Sequence, residues 1–263
     1  MADGRRIMDL LWGRGRSSSR GPKPGLDLEQ IVRVAIELAD AEGLAAVSMR
    51  RISERLAVGA MSLYTYVPGK TELLELMADR VLARSVDPVA LAAADTWRDA
   101  LEACARDQWE HHRRHPWTLQ LDASRGTLGP NEITAYERTL ATVADLGLPA
   151  RDAVAMVDAV SMFVRGAAQS TADAAPGVDA TGKTELDWWL EREPILGEVL
   201  EPARFPVLTR LAADGGFDVP PDTPNYNLRF AIDDFEFGLQ RLLDGFEAYV
   251  TSVAGGRPSS GRD

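Results

Sequence analysis

The sequence predicts an all-α protein with a short three-helix N-terminal domain and a larger helical C-terminal domain. Three observations carry this expectation. Residues 48–70 read as a short amphipathic helix, a tight turn and a second short helix. Leu228, Ile232, Phe235, Leu239, Leu242, Phe246, Tyr249 and Val253 recur at alternating steps of four and three, a coiled-coil-like seam. No segment sustains the period-two alternation of a half-buried strand.

In chain order, residues 1–25 are rich in Arg, Gly, Ser and Pro and read as a flexible basic arm. A helix over 26–43 follows. Asp27 caps it, Gln30 completes a capping box, and Leu26 staples to Ile31. Its apolar stripe is Ile31, Val34, Ala35, Leu38 and Ala39, and Gly43 fits a left-handed stop. Ser48 caps a helix over 49–56, where Ile52 and Leu56 face inward while Arg50, Arg51 and Arg55 stay in solvent or meet phosphate. Ala57-Val58-Gly59 is the turn. A helix over 60–67 is anchored by Leu63 and Val67, and Pro68-Gly69 breaks it. A longer helix over 70–85 carries Leu73, Leu74, Met77, Val81 and Leu82.

Further helices are expected over 96–114, 116–121, 131–146, 150–172, 184–200, 203–213 and 226–253. Loops at 122–130, 173–183 and 214–225 are rich in Gly, Pro, Asp and Ala. The domain boundaries expected are 26–86 for the first domain, 87–254 for the second and a disordered tail over 255–263.

Composition narrows the function classes. Of 263 residues, 45% are hydrophobic and 26% charged, ordinary for a soluble globular protein. No apolar run is long enough to span a membrane. The apolar run after Arg5-Arg6 is too short for a signal peptide, contains Asp9 and is followed by more arginines. The single cysteine, Cys104, excludes an intrachain disulfide and suits a reducing cytoplasm. Net charge is −11, but it is unevenly spread. Residues 1–26 hold six Arg/Lys against two Asp/Glu, residues 27–84 seven against nine, and residues 85–263 sixteen against twenty-nine. An acidic body repels nucleic acid and confines contact to the N-terminal end.

The layout of residues 48–70 is that of a helix-turn-helix whose second helix enters the major groove of DNA. Gly-Leu-Asp-Leu-Glu-Gln-Ile-Val, Leu-Ala-Asp-Ala-Glu-Gly, Ser-Met-Arg-Arg-Ile-Ser-Glu-Arg-Leu and Met-Ser-Leu-Tyr-Thr-Tyr-Val-Pro-Gly-Lys, all between residues 25 and 70, resemble the N-terminal domain of tetracycline-repressor-type (TetR) regulators. Gly129-Pro130-Asn131, and Phe235-Glu236-Phe237-Gly238-Leu239 leading into Leu243-Asp244-Gly245, are similar to the tetracycline-repressor class of C-terminal ligand domains. One departure is Ala57, where the family usually has glycine; alanine is strained if the turn is left-handed.

The resemblance implies an N-terminal helix-turn-helix DNA-binding domain and a C-terminal helical ligand-binding and dimerisation domain. It implies a homodimeric repressor that leaves its operator when a small molecule binds. On the family pattern, Ser48 and Arg50 contact backbone or a groove edge. Ala60, Met61 and Ser62 face bases, and Tyr64, Tyr66 and Lys70 clamp phosphates. Ala60 and Met61 offer no side-chain hydrogen bonds, so specificity falls to Arg50 or to DNA shape. Tyr64 and Tyr66 are two apart on a helix and cannot share a face, so at most one is buried. Arg14, Arg16, Arg20 and Lys23 of the arm either enter the adjacent minor groove or remain a solvated tail.

The effector pocket is expected among the C-terminal helices, with Trp109, His111, His115, Trp117, Met156, Phe163, Trp188, Trp189 and Phe235 as candidates; ordinary core packing is the alternative for each. The aromatic supply suggests a bulky, partly apolar ligand. Helices near 150–172 and 226–253 are expected to pair across the two-fold, holding the recognition helices about 34 Å apart on a palindromic operator.

Two patterns are decoys. Gly177 to Thr184 matches a phosphate loop literally, but no strand precedes it, Asp179 would repel phosphate, and Thr184 reads as a helix cap. His111 and His115 have the spacing of a metal pair but no third ligand in sequence; a metal is not expected. No hydrolase elbow is present. A cytoplasmic transcriptional regulator, not an enzyme, with no cofactor and no membrane partner, is therefore expected. The alternatives are an activator or ligand-independent regulator and, from another class, an all-helical enzyme or small-molecule carrier.

Overall fold

A computed structural model describes residues 2–14, 26–122, 126–176, 182–218, 223 and 225–255. Helices account for every regular element and no β-strand occurs among the described residues. They are α1 (Ala2–Leu11), α2 (Leu28–Glu42), α3 (Met49–Arg55), α4 (Ala60–Leu63), α5 (Lys70–Val81), α6 (Pro88–Ala92), α7 (Trp97–Arg114), α8 (Pro130–Ala141), α9 (Ala150–Ala174), α10 (Glu185–Val199), α11 (Pro206–Ala213) and α12 (Tyr226–Gly255). Two compact units are distinguished: one runs to Arg165 and resumes at Arg241, and the other comprises Gly166–Gln240.

In the first unit the local signals act as the sequence predicts. Asp27 accepts a hydrogen bond from the Gln30 amide at 2.7 Å, and the Gln30 side-chain oxygen accepts in turn from the Asp27 amide at 3.3 Å, closing the capping box. Gly43 takes φ +82 at the end of α2. Ser48 caps α3 through the Arg51 amide at 3.3 Å. Ile31, Leu38, Ile52, Leu63, Val67, Leu73 and Met77 form one fully buried core. Burying a side chain of this size contributes roughly 1.5–3 kcal/mol, so α2, α3, α4 and α5 hold each other in place. α4 itself is only Ala60–Leu63, shorter than expected. The turns that follow, not further helix, bring Val67 into the core.

Two features correct the sequence reading. Residues 2–11 are not a flexible arm: they form α1, whose Ile7 and Leu11 are buried in the same core. Its apolar residues are spaced one turn apart at 7 and 11, a signal outweighed by the Arg/Gly composition around it. Arg14 lies in the turn after α1, while Arg16, Arg20 and Lys23 lie outside the described residues, as does the expected tail beyond 255. The short helix α6, started by Asp87 and Pro88, has no counterpart in the sequence expectation.

In the second unit, Ala168 and Thr171 of α9 and Phe235 and Leu239 of α12 are buried. Asn225 donates to the Ala174 carbonyl at 2.8 Å. Thr184 caps α10 through a capping box with Asp187, the structural role expected for it in place of phosphate binding. α10 and α11 carry several exposed apolar side chains, among them Leu190, Ile195, Val199, Val207 and Leu211.

Candidate nucleic-acid interface and effector cavity

The helix-turn-helix is α3, the turn Leu56–Gly59 and α4. Ala57 sits at φ +53, the left-handed conformation that favours glycine, so the turn does carry strain. Of the predicted contact residues, Arg50, Met61, Ser62, Tyr64 and Lys70 are exposed, with Met61 at 77%. Arg50 is held only by an exposed ion pair with Glu54 at 3.3 Å. Such a pair is worth little and yields readily to a phosphate. Arg51 and Arg55 instead converge on Glu42, at 2.8 and 3.4 Å, and brace α3 against α2. Ser48 accepts from its own helix, which leaves its hydroxyl hydrogen available to a phosphate. Tyr66 is half-buried and packs on the core, whereas Tyr64 is 42% exposed. The pair therefore splits as their spacing requires. Ala60 is half-buried. Gly69 precedes α5 without a side-chain cap, so the first amides of α5 can meet an anion beside Lys70. Thr65, exposed among these residues, is a further candidate that the sequence reading passed over.

A cavity of about 320 Å³ lies elsewhere in the same unit. Ala78 and Leu82 line it from the α5 side, His111 and His112 from α7, Glu132 and Tyr136 from α8, and Val157 and Arg165 from α9. Burial, reinforced by the charges of His112, His115 and Arg114, pushes the His111 imidazole down to about 3. Burial, with help from Arg165, takes His112 down to about 4. Both rings are therefore neutral at pH 7. The Thr118 hydroxyl donates to the His115 carbonyl at 2.7 Å and so accepts from His112 Nδ1 at 2.8 Å, leaving His112 Nε2 as an acceptor. One terminal nitrogen of the Arg165 guanidinium donates to the Leu119 and Leu121 carbonyls, at 2.7 and 3.0 Å.

Only His111 of the predicted ligand residues lines this cavity. His115 Nδ1 and the Trp117 indole N–H both converge on Asp40 Oδ1, at 2.8 and 2.7 Å, and dock the turn Pro116–Gln120 on α2. Trp109 is nearly buried with the Arg113 guanidinium 4.9 Å from its ring. Met156 is core and Phe163 is half-buried without reaching the cavity. Trp188, Trp189 and Phe235 belong to the other unit, where Trp188 stacks on Trp189 at 6.4 Å and Phe235 is fully buried. Trp117 and Phe235 are fully buried and Trp109 nearly so, whereas Trp188 is exposed; none of them lines this cavity. His112, Glu132, Tyr136 and Arg165 line the cavity and are not among the residues expected from the sequence. Among the described residues no group of three or more His, Cys, Asp or Glu could hold a metal ion.

α5 joins the two sites. Leu73, Leu76 and Met77 pack in the helix-turn-helix core, while Ala78, next to Met77, and Leu82, just past the end of α5, line the cavity. Asp79 between them is buried and caps α8. It accepts from the Asn131 and Glu132 amides, both at 3.0 Å, and from Asn131 Nδ2 at 2.8 Å. Gly129 makes room for this: a Cβ there would lie 2.2 Å from Asp79 Oδ1.

Comparison with known proteins agrees with this arrangement. Residues 31–77 match the family model for bacterial regulatory proteins of the tetR family, and residues 90–250 match the tetracyclin repressor-like C-terminal domain. The HTH-type transcriptional repressor DrrR1 of Streptomyces coeruleorubidus is 42% identical over 250 residues, 95% of this chain and 88% of that protein. An HTH-type transcriptional repressor of Mycobacterium tuberculosis is 27% identical over 90% of this chain and 85% of its own length. The structure of the TetR family protein ActR of Streptomyces coelicolor in complex with actinorhodin superposes with a TM-score of 0.67 at 27% identity, covering 86% of this chain and 99% of that one. With both halves of the family's architecture matched in order along one chain, this protein belongs to the TetR family of DNA-binding transcriptional regulators.

Proposed function

We propose that the protein is a repressor released from a palindromic operator when a small molecule occupies the cavity between α5, α7, α8 and α9. The observation that carries this is α5 itself, whose Leu73, Leu76 and Met77 pack the helix-turn-helix and whose Ala78, with Leu82 just past its end, lines the cavity. A ligand that changes the preferred position of α5 must change DNA affinity, by linkage. Repression is the activity named for DrrR1, and a small molecule is bound in the ActR complex.

Arg50, Met61, Ser62, Tyr64 and Lys70 meet DNA in this reading. Ser48 and Ala60 stand at the two helix starts, and Tyr66 presents its hydroxyl from a ring packed on the core. With Met61 77% exposed on α4, its base contact is apolar, and Arg50 supplies the charged one. Arg14, Arg16, Arg20 and Lys23 add phosphate contacts from the N-terminal side. The effector is a small, partly apolar molecule of a size suited to about 320 Å³, presenting donors to His112 and Glu132.

Two copies act together through α9 and α12. Met162 on α9 is 70% exposed and Phe237 on α12 is 66% exposed, and apolar side chains so placed favour burial against a partner copy. The protein works in the cytoplasm, where operator DNA lies; no described helix is long and apolar enough to cross a membrane. A gel shift with the DNA upstream of its own gene tests the reading. A retarded band that weakens with added salt and is abolished by R50A supports it; no retardation even at low salt overturns it.

A further inference from the structure

We propose that α1 is a strap that positions the cavity wall, with Trp12 as its positioning residue, and that it gives this chain a second route between DNA and cavity besides α5. The inference rests on the effector-cavity reading for its biological meaning, but its geometry stands apart from it. α1 lies outside both segments matched by the family models. One end of it is fixed in the helix-turn-helix core by Ile7 and Leu11. From the turn that follows, the Trp12 indole N–H donates to the Leu128 carbonyl at 2.9 Å, 116 residues away in sequence.

Leu128 is an unusual residue to hold. It sits at φ +54, strained for any side chain, and it is 55% exposed, so apolar burial does not keep it there. A strained residue persists only where its surroundings over-determine it. Here both of its backbone polar groups are claimed. Its N–H donates to Glu132 Oε2 at 2.6 Å, and its carbonyl accepts from Trp12. Glu132 Oε2 also accepts from the Thr127 hydroxyl at 2.9 Å. Gly126, Thr127 and Glu132 line the cavity. The wall segment is thus fastened from inside by Glu132 and from outside by Trp12. A displacement of the helix-turn-helix core carries α1 with it and pulls on Leu128, and a displacement of the wall travels back the same way.

The test is amide hydrogen exchange on the full-length protein, with and without a duplex selected by that protein from random DNA. In the wild type, duplex binding changes exchange at residues 127–129 by about fivefold or more, the lower end of ordinary coupling between sites. In W12F, which keeps a ring and loses the N–H, duplex affinity stays within about threefold, but the response at 127–129 falls by at least about half, while the Asn131 and Glu132 amides, held by Asp79 of α5, still respond. Should W12F melt well below the wild type, the benzothienyl analogue of tryptophan at position 12 replaces it, since it keeps the ring shape and deletes only the N–H. An undiminished duplex response at 127–129 in the N–H-deleted protein, or no response there in the wild type, overturns the strap. No effector is needed, so the result is independent of whether a small molecule fills the cavity; a thermal-shift screen of the wild type tests that separately.

Discussion

Removing the Asp79 carboxylate should loosen α8 and weaken the joint between the DNA-binding helices and the cavity wall. In D79A, three hydrogen bonds to a buried charged acceptor disappear: the Asn131 and Glu132 amides, both at 3.0 Å, and Asn131 Nδ2 at 2.8 Å. Hydrogen bonds to charged groups contribute about 1.5–3 kcal/mol each, and water entering the gap recovers part of that. A net loss of about 3 kcal/mol is expected. D79N should cost only about 1 kcal/mol. Its remaining oxygen still accepts both amides, because both bond to Oδ1, and the Asn131 side chain can turn to present its own oxygen. G129A should cost about 1–3 kcal/mol, the usual range for overpacking, because its Cβ meets Asp79 Oδ1 at 2.2 Å and Cγ at 2.3 Å. Gly129 has φ −76, so alanine is backbone-compatible there and the penalty is purely steric. The two substitutions disrupt the same contact, so D79A with G129A should be less destabilised than the sum by at least about 1 kcal/mol. Urea unfolding followed by circular dichroism measures all four proteins. Additivity within about 0.5 kcal/mol would refute the claim that Asp79 and Gly129 form one joint.

Other consequences follow from the same geometry. A57G should raise stability by up to about 1 kcal/mol, since φ +53 is strained for alanine and the gain exceeds the added chain entropy; a lower melting temperature would contradict this. His111 and His112 are neutral when folded, with pKa lowered to about 3 and about 4, so the unfolded chain takes up protons first as pH falls below about 6.5. Their stabilisation is complete above that pH, declines through the acid range and is fully lost only below about 3; at pH 5 it is reduced on the order of 2 kcal/mol per histidine. Urea midpoints of the wild type and H112Q across pH 7 to 5 check this, the variant losing less. Replacing Arg16, Arg20 and Lys23 together by alanine should lower the slope of log operator affinity against log salt by about 2–3, if each neutralises one phosphate. An unchanged slope in a filter-binding titration would leave those residues a solvated segment.

Local signals carried much of the fold. Asp27 with Gln30, Ser48, Thr184 and Gly43 mark helix ends by hydrogen bonds that span three residues or by one left-handed backbone, so the sequence alone determined them. The stripes through Ile31 to Ala39 and Leu73 to Met77 likewise reflect the helical repeat, and with residues 48–70 they made the helix-turn-helix legible. Only the tertiary structure decided which apolar and polar residues line a cavity. Trp117 and Tyr136 are both aromatic residues on helical segments, yet Trp117 meets Asp40, 77 positions away, and Tyr136 lines the cavity. The same holds for α1: Ile7 and Leu11 look like two apolar residues in a basic segment until α5 and the core receive them. Helix starts are fixed by neighbours in the chain, whereas cavities and straps are fixed by residues far along it, and one sequence does not state those distances.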